Sequence, residues 1–136
     1  MTTQEYEQEI TKIFNAHKRH ERLSESISML HASVLRMSSA MSGMPGSHDP
    51  KRFEKEMEKY VDMKALAANI LFQRAEFDSF FSTLTSKQQD VVSFRCEKNM
   101  GWKEISHKLD ISEKKARTLF ENVGVQLELL TIIQPT

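Results

Sequence analysis

Apolar residues in the first half of the chain recur at helical spacing. Ile13, Ala16, Leu23, Ile27, Leu30, Val34, Met37 and Met41 succeed one another, and from Leu23 the steps alternate between four and three. That is the seam of a heptad repeat. No Gly or Pro lies between Thr3 and Ala40, so the pattern predicts one long helix, roughly 55 Å at a rise of about 1.5 Å per residue. Residues 42–50, SGMPGSHDP, hold two glycines and two prolines and predict a loop. Asp49 before Pro50 predicts an N-cap acceptor with proline at the first helical position. A second seam runs through Phe53, Met57, Tyr60, Met63, Ala67, Ile70, Arg74, Phe77 and Phe81. Residues 1–83 therefore predict a long antiparallel helical hairpin, a coiled-coil-like arm. An arm this thin cannot bury its own stripes, so it is expected to pair with a second copy or to pack on the C-terminal third of the chain.

From Leu84 the period shortens into three blocks. Thr85 or Ser86 caps the first; Ser86 with Gln89 fits a capping box, with Leu84 as the apolar residue outside it. Val91, Val92 and Phe94 come next, and Asn99 stands where a left-handed residue would end the helix. Gly101 takes the next N-cap, and Trp102, Ile105 and Leu109 share a face. Asp110 and Ile111 make a turn, Ser112 caps the last helix, and Ala116, Leu119, Phe120, Val123, Leu127 and Leu130 form its buried stripe. Residues 84–136 thus predict a helix-turn-helix with a leading helix. The expected fold is all-α, an arm over 1–83 and a module over 84–136.

In a helix-turn-helix the N-terminal residues of the last helix enter the DNA major groove. Here these are Ser112, Glu113, Lys114, Lys115, Arg117 and Thr118. Lys and Arg can pair with guanine edges and Glu can accept from a cytosine amino group. Lys103 and Lys108 on the middle helix stand where phosphates would lie.

Charge tempers this picture. The 136 residues hold 19 basic and 19 acidic side chains, without the basic surplus of a strong nucleic-acid binder. Residues 84–136 hold 8 basic and 7 acidic, so any DNA face must come from segregation of charge within the module. The single cysteine, Cys96, excludes an intramolecular disulfide. No apolar run reaches membrane-span length, and the polar, acidic start MTTQEYEQEI is unlike a secretory signal. The expectation is a cytoplasmic protein that does not engage a membrane. His17 and His20 share a helix face, but no second cluster of ligand residues accompanies them, so no metal or other cofactor is expected. No phosphate loop, nucleophile–base set or paired carboxylates emerge, and an enzyme is not expected.

The run Leu84-Thr85, Val91-Val92, Arg95, Trp102-Lys103-Glu104-Ile105, Leu109-Asp110-Ile111-Ser112 and Ala116-Arg117 resembles the promoter-recognition (fourth) region of bacterial sigma factors. The whole chain resembles small sigma-like proteins of phages and prophages, including ArpU-type late-gene regulators, which share a long helical N-terminal segment and a loop like Met44-Pro45-Gly46. It departs from the sigma pattern at Ser106, where Ala is usual, at Cys96, where an aromatic is usual, and after Arg117, where Glu121 and Glu128 replace a basic stretch. The resemblance implies a transcriptional regulator of phage or prophage genes that binds double-stranded DNA, as a homodimer or higher oligomer, with RNA polymerase a candidate partner. The alternative is a protein-interaction factor that uses the arm and keeps the helix-turn-helix as a scaffold.

Overall fold

The computed structural model describes residues 1–43 and 50–135, and its regular elements are all helical. They are α1 (Thr3–Phe14), α2 (Ala16–Gly43), α3 (Pro50–Phe81), α4 (Ser86–Val92), α5 (Trp102–Leu109) and α6 (Glu113–Leu129). Past Val92, α4 widens into a π-helical turn over Ser93–Glu97. Asp49 and most of the expected 42–50 loop lie outside the described residues. Among those described, no helix is long and apolar enough to cross a membrane.

The residues form two compact units, one of residues 1–16 and 72–136 and the other of residues 17–71. This grouping differs from the boundary expected at Thr83 and Leu84. The expected helix over 3–40 is in fact two helices, α1 ending at Asn15 (φ −92°, ψ 13°). Neither Gly nor Pro marks the break. The Ile13 carbonyl, near the helix end where intrahelical donors run out, accepts Nη1 of Arg74 at 3.0 Å. Arg74 also pairs with Asp78 at 3.0 Å and lies over the Phe14 ring, 5.5 Å from its centroid. Its place on the apolar seam of α3 has this origin: it closes the end of α1.

The first unit holds the larger core. Tyr6, Ile10 and Ile13 of α1 are buried in one cluster with Phe77 of α3, Val91 and Val92 of α4, and Phe120, Val123 and Leu127 of α6. Each fully buried aliphatic or Phe side chain contributes about 1.5–3 kcal/mol. The first α1 residues lie along α6. The Tyr6 ring rests on Gly124, where an added Cβ would come within 2.5 Å of Tyr6 Cγ. Tyr6 donates its hydroxyl proton to Glu128 at 2.8 Å. Burial, then the bond to this carboxylate, pushes the Tyr6 phenol up to about 12.

Helix ends are closed locally. The capping box on α4 uses Thr85 with Gln88, not Ser86 with Gln89: Thr85 Oγ1 accepts from Gln88 N–H at 3.3 Å, and Gln88 Oε1 accepts from Thr85 N–H at 3.0 Å. Gln89 instead donates to the Phe81 carbonyl at 2.8 Å. After α6 the chain turns at Thr131 (φ 56°), with Ile132 N–H to Leu127 O at 3.0 Å and Thr131 N–H to Glu128 O at 3.0 Å. This is a Schellman closure. It folds Ile132 and Ile133 into the core and leaves Leu130, expected in the buried stripe, 54% exposed.

The second unit is thin. Among the described residues, Leu30 and Val34 of α2 and Ala67 and Ile70 of α3 are its buried apolar side chains. His31 stacks on Tyr60 with ring centroids 5.4 Å apart.

Gly124→Ala, favourable by about 1 kcal/mol in an ordinary helix interior, should here lower unfolding stability in urea by about 1–3 kcal/mol. In a Tyr6→Ala background the same change should be neutral or stabilising, and an equal cost in both backgrounds would disprove the contact. Cys96 is buried, and burial pushes its thiol up to about 12. It therefore stays a poorly nucleophilic thiol near pH 8, about four units below. Alkylation of the native chain should be slow and should become fast only in denaturant.

Candidate nucleic-acid interface

The connection between α5 and α6 is built from two helix ends. Asp110 closes α5 in the left-handed region (φ 52°, ψ 49°), and its N–H returns to the Ser106 carbonyl. Ile111 N–H reaches the same carbonyl at 3.2 Å, while the Ser106 hydroxyl donates to the Ile111 carbonyl. Asp tolerates this conformation better than a branched residue would. Ser106 thus holds the turn it borders. Ser112 Oγ then accepts from Lys115 N–H at 3.1 Å and starts α6. Ala116, fully buried, gives the small contact expected where the helices meet.

Every residue singled out for DNA contact is exposed or half-buried at the surface: Lys103 and Lys108 on α5, Ser112 at the cap, and Glu113, Lys114, Lys115, Arg117 and Thr118 on α6. They do not share one face. Lys114, Arg117 and Thr118 line a shallow groove along α6 with Glu113 and Glu121, and Thr118 Oγ1 is tied to the Lys114 carbonyl at 2.9 Å. Lys115 stands about 200° around the helix from Arg117, at about 100° per residue, and faces the other flank. Lys108 lies beside the Phe94 ring, 5.7 Å from its centroid.

Arg117 does not project freely. Its guanidinium carbon is 5.7 Å from the centroid of Trp102, the first residue of α5, and that of Arg95 is 4.7 Å from the same ring. Arg95 is answered by Glu7 of α1 at 2.9 Å and donates to the Met100 carbonyl at 2.9 Å. Trp102 meets Phe120 edge-on, 5.6 Å between centroids, so the aromatic residue under both arginines is anchored in the core. On the far side, Thr3 of α1 donates its hydroxyl proton to Glu121.

Sequence reasoning missed Thr3 and Glu7, because it placed α1 in the arm, and it read Glu121 only as a departure from a basic stretch. One signal did point to them. A glycine inside a helical pattern costs about 1 kcal/mol against Ala and so asks for a packing reason, and Gly124 lies one turn beyond Glu121.

No curated protein and no solved structure matches the chain. The family described as a protein of unknown function (DUF722) matches residues 49–128, over half of the chain, and the chain belongs to that family.

Proposed function

We propose that α5 and α6 form a helix-turn-helix of the sigma promoter-recognition type, and that the chain is a DNA-binding transcriptional regulator of phage or prophage genes. The observation that supports this most is the α5–α6 junction. A left-handed Asp110 and a Ser112 cap turn the chain within three residues, and α6 opens with Lys114, Arg117 and Thr118 exposed along one groove. In this reading α6 enters the major groove, Arg117 and Lys114 meet base edges, and Lys103 lies toward phosphate. Such a role places the chain in the cytoplasm, with RNA polymerase as its protein partner.

Replacing Lys114 and Arg117 together with Ala should abolish binding to a duplex selected from a random pool and leave the circular dichroism spectrum unchanged. Wild-type binding by the double variant in a mobility-shift assay would remove α6 as the reading helix. Binding by the wild-type chain should weaken steeply as salt rises.

A second reading, a protein-interaction factor built on the arm, is favoured by the residues that the second unit leaves in the open. Met29 is 74% exposed, Val61 58%, Leu35 54% and Leu66 50%. Here α2 and α3 act as an antiparallel hairpin, a pairing that the His31–Tyr60 stack supports. A second copy on this surface would also give the regulator two reading helices. Sedimentation of the full chain should show a dimer that Val61→Glu with Leu66→Glu converts to monomer. A wild-type chain that sediments as a monomer would remove self-pairing.

A further inference from the structure

We propose that Glu113 and Glu121 make the α6 face a selective reader of G·C base pairs, by turning away backbone phosphate while Arg117 takes the guanine. This rests on the DNA-binding reading above. It is carried by three features of the face. Glu113, Arg117 and Glu121 stand four residues apart, all exposed, and share one groove with Lys114. Two cations and two carboxylates leave that groove without net charge. Glu121 is not a free side chain, because the Thr3 hydroxyl of α1 fixes its carboxylate in place. Arg95, which lines the neighbouring hollow with Glu121, is already taken by Glu7 at 2.9 Å.

Non-specific affinity for duplex DNA comes almost wholly from phosphates. A phosphate entering this groove gains Arg117 and Lys114 but meets two carboxylates, so generic binding is weak. A base edge is treated differently. Guanine offers O6 and N7 to Arg117, and the cytosine amino group offers its proton to a carboxylate. Four helix residues advance about 6 Å, close to two base-pair steps of about 3.4 Å, so Arg117 and Glu113 reach bases no more than about two pairs apart, while Glu121, held by Thr3, stands at the edge of the groove and repels phosphate. Trp102 beneath Arg117 keeps the guanidinium from swinging to the nearest phosphate. The carboxylates therefore lower affinity for every duplex and lower it least for the right one, which is how specificity is gained by penalising competitors.

The test uses the full chain, wild type and Glu121→Gln, with fluorescence anisotropy on two duplexes of equal length, one selected from a random pool and one of random sequence. Gln keeps an acceptor for Thr3 and removes the charge. Glu121→Gln should bind the random duplex about 3- to 10-fold more tightly and should narrow the ratio between the two duplexes. The pool itself should return G·C pairs at the positions α6 reads, and Glu113→Gln should act in the same direction. An unchanged random-duplex affinity and ratio, with wild-type binding intact, would overturn the filter and leave the DNA-binding reading standing. Weaker binding of Glu121→Gln to both duplexes would also overturn it, since the carboxylate would then be supporting the helix. No binding by wild type at any salt would remove the DNA-binding reading itself.

Discussion

Tyr6 lies on Gly124 so closely that a methyl group at that position would overlap its ring, and much of the first unit depends on that contact. It brings α1 against α6, so Ile10 and Ile13 can join Phe120, Val123 and Leu127 in one core. It also places the α1 side chains in a row along the flank of α6. Tyr6 meets Glu128, Thr3 meets Glu121, and Glu7 meets Arg95 in the turn after α4. Overlap at this distance is not relieved by small shifts in a core at crystal-like density, so Gly124 sets how near α1 can come. Arg74, bonded to the Ile13 carbonyl, fixes the other end of α1.

The C-terminal half was largely legible because its signals are local. Asn99 and Asp110 in left-handed conformations, the Gly101 and Ser112 caps, and the buried positions Ala116, Phe120, Val123 and Leu127 are all set by side chains within a few residues of the backbone they act on. The slip of the capping box by one residue has the same origin. Thr85 and Ser86 both offer a hydroxyl with Gln three residues on, and what separates them is a contact outside that window, Gln89 reaching the Phe81 carbonyl. The break at Asn15 was not legible, since Asn in a helical pattern costs only a few tenths of a kcal/mol. The decisive partner, Arg74, is far away in sequence. With no local signal to separate α1 from a long arm, nothing in the sequence puts its side chains beside α6, and the polar partners of Arg95 and Glu121 are not legible either.

The position of α1 also bears on charge. Read as a string, the module has 8 basic and 7 acidic residues, and the acidic stretch after Arg117 looks like an obstacle to DNA. In the folded unit these carboxylates have separate partners. Glu128 serves Tyr6 and Glu121 serves Thr3. Glu7, which would have counted against a different segment, neutralises Arg95. Charge balance over the sequence therefore says little about the potential at the α6 groove, where cations and carboxylates are interleaved a few ångströms apart and field differences act at that range.

The α6 helix divides at its middle by what covers it. Its first two turns, from Glu113 to Thr118, present polar and charged side chains to solvent. Beyond that, the flank at Glu121, Gly124 and Glu128 is occupied by α1. In the DNA-binding reading proposed above, only the first part is free to enter a groove, because α1 stands against the second. That limits the stretch of duplex one copy can read to what two helical turns span, about 11 Å or some three base pairs. A face so short and without net charge gains little affinity from one engagement. Two linked copies would share the cost of ordering on the duplex, since the second binding step becomes intramolecular. The exposed Met29, Leu35, Val61 and Leu66 of the second unit are apolar surface of the kind that such a linkage would cover.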